Sequence, residues 1–346
     1  MSAPSGYWPY RTKPRDDELY SSWLVRQAWG LATRLQTFCV NHLGTPPGYL
    51  ARDIDRLPND QALTRLCKGT VVSRQRAKHT SLAAYEGVLW ARFNPTGPLA
   101  WVMPIGRRGR RRVGHGLQYC RRCLVDDETP YFRRRWRLAF NAVCSHHSVY
   151  LYDACAHCGA PVQFHTGDFY RRLLPLTSPL TRCGVCQVDF REAIPQGDIP
   201  APESLVEFSL KLDHILYHGW STELPGAQCY STLFFEGFRC LVRSIASQGR
   251  GHRLMEMALL DSGSLPLTLG RHYVGLTFEE MRLGDRAMLL GIASSLLDDR
   301  PTTFIDTSQR ARVSASYLLH YNKSRVPEPW WYADVIKRNL FDRSYN

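Results

Sequence analysis

Eight side chains that bind metals well fall in four pairs within one stretch of this 346-residue chain. Cys120-Arg121-Arg122-Cys123 is followed by Cys144-Ser145-His146-His147, then Cys155-Ala156-His157-Cys158, then Cys183-Gly184-Val185-Cys186. Two ligands separated by two residues share one tight turn, so both donor atoms reach a single ion about 2.3 Å away. A second such turn completes a tetrahedron. Sequential pairing assigns Cys120, Cys123, Cys144 and His147 to one ion, and Cys155, Cys158, Cys183 and Cys186 to another. An interleaved pairing also fits the spacing, and His146 could stand in for His147. Thiolate and imidazole donors in closed sets of four select zinc in a structural role, because a catalytic zinc keeps one position open. The expectation is two structural zinc ions. Cys39, Cys67, Cys229 and Cys240 have no such spacing and read as small buried apolar residues.

Metal, rather than disulfide, is the reading that the rest of the chain supports. No apolar run approaches the ~18–20 residues of a membrane span, and Met1 to Pro14 has no apolar core ahead of a small-residue cleavage site. A cytoplasmic location follows as the expectation, with no membrane partner, and eleven cysteines kept reduced there point to metal binding.

The formal net charge is +13, and its distribution is uneven. Between Arg107 and Arg137 stand eleven arginines against Asp126, Asp127 and Glu128, a local excess of eight positive charges. Arginine presents a planar fork that grips phosphate with two hydrogen bonds, whereas lysine acts as a point charge. Arg107, Arg108, Arg110, Arg111, Arg112, Arg133, Arg134 and Arg135 are therefore candidate nucleic-acid contacts. Seven thiolates and two zinc ions change the nominal charge by −3, to +10, so part of the patch serves to balance the metal sites. In Pro130 to Phe140 aromatics interleave with arginines. Trp136 and Phe140, four apart, read as core and the arginines as the functional face.

The elements that position these residues read as mainly α-helical, with small zinc-binding modules between two helical parts. Asp16-Asp17-Glu18 suits the positive end of a helix dipole. Leu19, Trp23, Leu24, Ala28, Leu31, Leu35 and Phe38 then recur at helical spacing, and Gly44 is a C-cap candidate. Further helical signals run over 60–66 and 81–92. Such an N-terminal part could be helix-turn-helix-like, with Ser73 to His79 as the recognition-helix candidate. Asn94-Pro95-Thr96-Gly97-Pro98 breaks the chain, and Pro195, Pro200 and Pro202 break it again. The organisation expected is 1–105 helical, 106–199 tandem zinc fingers and 200–346 helical. Helices are expected over 203–217, 230–248, 277–297 and 329–340, with Trp330-Trp331-Tyr332 anchoring the last in the core.

Enzymatic signatures are missing. The sequence has no nucleophile elbow, phosphate loop, dinucleotide fingerprint or His-Glu-x-x-His motif. Asp126-Asp127-Glu128 raises the thought of a nuclease, but three consecutive acids cannot converge on two ions about 3.5–4 Å apart. They read instead as a helix N-terminal cap ahead of Pro130, or as balance for nearby arginines. The expectation is a protein that is not an enzyme.

The zinc block resembles a known family. Tyr119-Cys120-Arg-Arg-Cys123-Leu124, Pro130-Tyr131-Phe132-Arg-Arg-Arg-Trp136-Arg137-Leu138, Cys144-x-x-His147 and Leu151-x-x-x-Cys155-x-x-Cys158-Gly159-Ala160-Pro161 resemble the TniQ/TnsD family of transposon target-selection proteins. So do the opening Asp17-Glu18-Leu19-x-Ser21-Ser22-Trp23-Leu24-x-Arg26 and the closing Pro329-x-Trp331. Ser145 and Ser148 depart from the Pro and Gly that the family often has there, which affects turn stiffness rather than ligation. The resemblance implies an N-terminal helix-turn-helix, zinc fingers and a helical C-terminal region in a bacterial protein, nucleoid-associated when bound. It implies a non-catalytic adaptor for DNA transposition. Such an adaptor ties target recognition, by a Cascade-type CRISPR effector with its guide RNA or by target DNA directly, to an AAA+ ATPase regulator and the transposase. Some members act as homodimers. The alternative is a sequence-specific DNA-binding protein that recognises an attachment site or operator by itself.

Overall fold

The computed structural model describes residues 6–105, 115–166, 179–194, 197–222, 228–247, 250–261, 276–298, 300–320 and 328–341. These residues divide into two compact units: one runs up to Tyr85 and over Phe93–Pro200, and the other combines Glu86–Arg92 with the residues from Ala201 onward. The described residues are mainly helical, with two short two-stranded sheets.

The first unit opens with α1 (Tyr20–Gly30) and α2 (Leu35–Asn41). The apolar pattern from Leu19 to Phe38 suggested one helix, but Ala32 takes a left-handed φ of 51° and the chain turns there. Trp23 and Phe38 are fully buried on either side of the turn. The acids ahead of α1 do not sit in its first turn. Asp17 itself has φ 56°, and Glu18, with its side chain fully buried, pairs with Arg26 at 2.6 Å. Tertiary pairing, not the helix dipole, uses these carboxylates.

Next come α3 (Asp60–Thr70) and α4 (Arg74–Lys78). Asn59 accepts from Ala62 N–H at 3.1 Å, Ser73 accepts from Arg76 N–H at 3.2 Å, and Val71 ends α3 in the left-handed region. Each helix is thus capped by its own sequence. The expected helix over 81–92 is only a 3-10 turn at Leu82–Tyr85, after which Glu86–Arg92 belongs to the other unit.

The Cys/His block is woven into the N-terminal helices. Leu19 N–H donates to Phe132 O at 2.9 Å, Phe132 N–H to Ser22 Oγ at 3.0 Å, and Ala139 N–H to Trp101 O at 2.7 Å. Trp136 and Phe140 are buried, the core role expected of them. Arg137 is buried completely and pairs with Asp53 at 2.6 Å and Asp55 at 3.3 Å. Removing one partner of such a buried pair typically costs about 3–5 kcal/mol.

In the second unit, α6 (Glu203–His218), α7 (Ser231–Ala246), α8 (Arg250–Asp261), α9 (Leu283–Asp298), α10 (Arg300–Arg310), α11 (Ala315–His320) and α12 (Trp330–Asn339) follow α5 (Arg121–Asp126) of the first. The helix expected over 277–297 begins as a 3-10 turn at Phe278–Glu280, closed by a Thr277/Glu280 capping box. α9 packs against α6, α7, α8 and α10, which explains why apolar residues occur around much of its circumference. Trp331 and Tyr332 are buried, whereas Trp330 is 48 % exposed. Trp331 Nε1 donates to Leu233 O at 3.0 Å, and its indole would overlap a side chain at Gly237, so α7 and α12 need a glycine there. Among the described residues no helix is long and apolar enough to cross a membrane.

Candidate metal centres

Each ligand pair is set by a short turn. In the first pair, Cys120 is the N-cap of α5 and Cys123 lies in its first turn. The other three pairs turn back sharply after their second ligand. His147 is followed by Ser148 (φ 52°), Cys158 by Gly159 (φ 69°) and Cys186 by Gln187 (φ 68°). In each the N–H of that residue donates to the carbonyl of the first ligand: Ser148 to Cys144 at 2.8 Å, Gly159 to Cys155 at 2.9 Å and Gln187 to Cys183 at 3.1 Å. Glycine takes this backbone freely; serine and glutamine are strained by it. The turn at Ser148 also connects β1 (Val143–Cys144) to β2 (Val149–Tyr150), an antiparallel pair.

The donor atoms converge in two groups, Cys120 with Cys123, Cys144 and His147, and Cys155 with Cys158, Cys183 and Cys186. Within each group they lie no more than 4.8 Å apart. His147 Nδ1 stands 3.5 Å from Cys120 Sγ, 3.4 Å from Cys123 Sγ and 3.5 Å from Cys144 Sγ, and the Cys123 and Cys144 sulfurs are 3.6 Å apart. In the second group Cys155 and Cys186 are 3.6 Å apart, as are Cys158 and Cys183. A tetrahedron with bonds of about 2.3 Å has edges of about 3.8 Å, so the spacing fits zinc. It is far too long for a disulfide at about 2.05 Å. The sequential pairing is the one present, and His147, not His146, faces the sulfurs. His146 packs edge-on against the His147 ring at 4.6 Å.

Support beyond the ligands differs between the centres. His147 Nε2 lies 2.7 Å from Asp126 Oδ2, the carboxylate–histidine arrangement that fixes the tautomer of a metal-bound imidazole. Asp126 is the last residue of α5, three positions after Cys123, so it occupies a helix C-terminus rather than an N-terminal cap. Asp127 balances an arginine, pairing with Arg133 at 2.9 Å. Asp126 and Asp127 thus have different tasks. Asp198 is a further anchor: its buried carboxylate accepts from Arg121 at 2.6 Å, Arg122 at 2.9 Å and Tyr152 Oη at 3.2 Å. Arg121, foremost, holds the Asp198 carboxyl down to about 2. The roles of Asp126 and Asp198 were missed in sequence. Only the position of Asp126 on the Cys123 helix was a signal for the first, and nothing local signals the second.

Arginines counted as nucleic-acid contacts have varied surroundings. Arg133 pairs with Asp127 and lies over the Tyr131 and Trp136 rings at 4.5 and 4.8 Å. Arg134 pairs with Asp17 at 3.4 Å, donates to His79 O and covers the Tyr85 ring at 4.5 Å. Arg135 also pairs with Asp17, at 2.9 Å, and with a side chain 41 % exposed is the most open of the three. Arg107, Arg108, Arg110, Arg111 and Arg112 lie outside the described residues. Of the other cysteines, Cys39, Cys229 and Cys240 are buried and Cys67 is half-buried.

The family model described as TniQ matches residues 9–151. The match takes in the first metal group and stops before the second. No curated protein matches the chain significantly.

Proposed function

We propose, from the match of residues 9–151 to the TniQ family model, that the chain is a non-catalytic target-selection adaptor of DNA transposition. In this reading it links a target-recognition complex to an AAA+ ATPase regulator and so to the transposase. The recognition complex is an RNA-guided CRISPR effector of the Cascade type with its guide RNA, or target DNA itself. The observation that carries the reading is the family match together with the four-donor group inside it. Four protein donors leave no position for water or substrate, so the metal holds a shape instead of performing a reaction.

A second reading, direct recognition of DNA, draws on α4. Ser73, Arg74, Gln75, Arg76, Lys78 and His79 are all exposed there, on a short helix that follows α3 after a three-residue turn. Arg74 is tied to Asp60, and Arg76 donates to Pro14 O at 3.0 Å. Arg135, with the more exposed side chain, is a better phosphate contact than Arg133 or Arg134. The experiment is metal analysis combined with affinity purification from cells carrying the neighbouring genes. Two zinc ions per chain with a co-purifying ATPase or effector subunit supports the adaptor. Recovery of sequence-specific DNA alone, weakened by Arg76→Ala and Lys78→Ala, favours the direct reading and sinks the first.

A further inference from the structure

We infer that the two metal centres are one coupled device, bridged by Tyr119 and a strap at Asp198, so that they fill and empty together. The observation starts from Tyr119. It immediately precedes Cys120, a ligand of the first centre, yet its buried phenol lies among the ligands of the second, near Cys155, Cys183 and the backbone of Ala156. Ala156 is inside the Cys155-x-x-Cys158 turn. One side chain therefore joins the first ligand of one centre to the ligand turn of the other. The Tyr119 ring is fixed by Phe190 at 4.6 Å and Tyr152 at 5.4 Å. Its backbone is fixed too, exchanging hydrogen bonds with Tyr152 at 3.0 and 2.8 Å.

The strap works in the opposite direction. Arg121 and Arg122 are the two residues between Cys120 and Cys123. Both grip Asp198, and Arg121 also donates to Arg191 O at 3.2 Å. Arg191 and Asp198 follow Cys186, the last ligand of the second centre. The strap is also held just past Asp198, where Tyr150 N–H donates to Ile199 O at 3.0 Å, beside the β1–β2 turn that carries Cys144 and His147. The chain leaving the second centre thus clamps the ligand turns of the first. Neither set of turns keeps its geometry if the other opens, because packed elements of this kind switch between arrangements rather than deform gradually. The second centre is the entry point: Cys158 is exposed and Cys186 half-buried, whereas the three cysteines of the first are buried.

The test uses the full-length zinc-loaded protein, after two zinc ions per chain have been established separately. Zinc release to a chromogenic chelator is timed, and refilling with cobalt(II) is read by absorption, which differs between three-sulfur-one-nitrogen and four-sulfur coordination. Coupling predicts one release phase for both ions and cobalt signatures that rise together. Cys158→Ser leaves all four ligands of the first centre in place, yet should speed release from it by on the order of tenfold, the scale of losing an outer-shell support. Tyr119→Phe and Asp198→Asn keep all eight ligands and should split release into two phases. Two phases in the unaltered protein, with an unchanged first-centre rate in Cys158→Ser, overturn the inference. Where Cys158→Ser does not fold, Tyr119→Phe decides, since it removes a single hydroxyl. A single release phase at the original rate in that variant overturns the bridge.

Discussion

The two metal centres share a sharp left-handed turn after a ligand pair and differ in what surrounds it. In the first, three cysteines are buried, one ligand is an imidazole, and that imidazole rests on Asp126 at 2.7 Å. In the second, all four ligands are cysteines, Cys158 is exposed, and Val185 between Cys183 and Cys186 is 71 % exposed. The cysteines of the first are all buried, while the second lies nearer the surface. A four-donor sequence pattern therefore predicts ligation equally well for both, and says nothing of how firmly each is supported. That support comes from the tertiary neighbours.

The largest expected effect is that of removing a ligand. Cys120→Ser should release zinc and abolish cooperative melting of the first unit, because zinc bound in a small structural site contributes on the order of 10 kcal/mol to folding at neutral pH. Cys155→Ser tests the other side of the comparison in the same way. Metal analysis with calorimetry reads both, and a variant that keeps two zinc ions and its melting transition breaks the ligand assignment.

Next is the strap. Asp198→Ala leaves Arg121 and Arg122 without their shared carboxylate and should cost about 1–2 kcal/mol, less than breaking a fully buried pair because Arg122 is half exposed. It should also remove an acid-sensitive component. The folded-state value of Asp198, about 2, lies below its ordinary 3.8. The pair therefore stabilises fully above about pH 4, and its contribution disappears as the pH falls towards about 2. Denaturant titrations across that window should show a shallower acid dependence in the variant; parallel curves would remove Asp198 from the account.

Asp126→Asn sharpens the contrast, since the second centre has no imidazole for a carboxylate to orient. It should weaken zinc binding at the first centre by roughly 10- to 100-fold, measured by chelator competition, and an unchanged affinity would mean that the carboxylate does not orient His147. Smallest of all is turn strain. Ser148→Gly and Gln187→Gly relieve a left-handed residue in one centre each and should each raise stability by up to about 1 kcal/mol. Gly159→Ala, in the turn that already has glycine, should lower it, and differential scanning calorimetry distinguishes the three.

Much of the centre was legible because its signal is local. A ligand pair two residues apart closes on itself whatever surrounds it, so the eight donors could be read from spacing. Helices α6, α7 and α12 were legible for a similar reason, their apolar residues recurring on one face. Three helices, Arg250–Asp261, Arg300–Arg310 and Ala315–His320, were not. Arg300–Arg310 has few apolar residues, Ala315–His320 is only six residues long, and Arg250–Asp261 opens on arginine and glycine, so helix packing rather than intrinsic preference holds them. The helix expected over 81–92 failed in the opposite way. Its apolar residues serve two different units, Leu82 in one and Leu89 in the other, and a periodic pattern does not reveal that.

By itself, then, the sequence determined the donor types, their pairing within turns and the helical character of the chain, because these depend on contacts within a few residues. Only the tertiary structure decided which turns share an ion, that His147 and not His146 faces the sulfurs, and that Arg133, Arg134, Arg135 and Arg137 have carboxylate partners. Those outcomes depend on groups far apart in the chain, such as Arg137 with Asp53 or Arg121 with Asp198. Charge counted along a sequence does not show which charges meet.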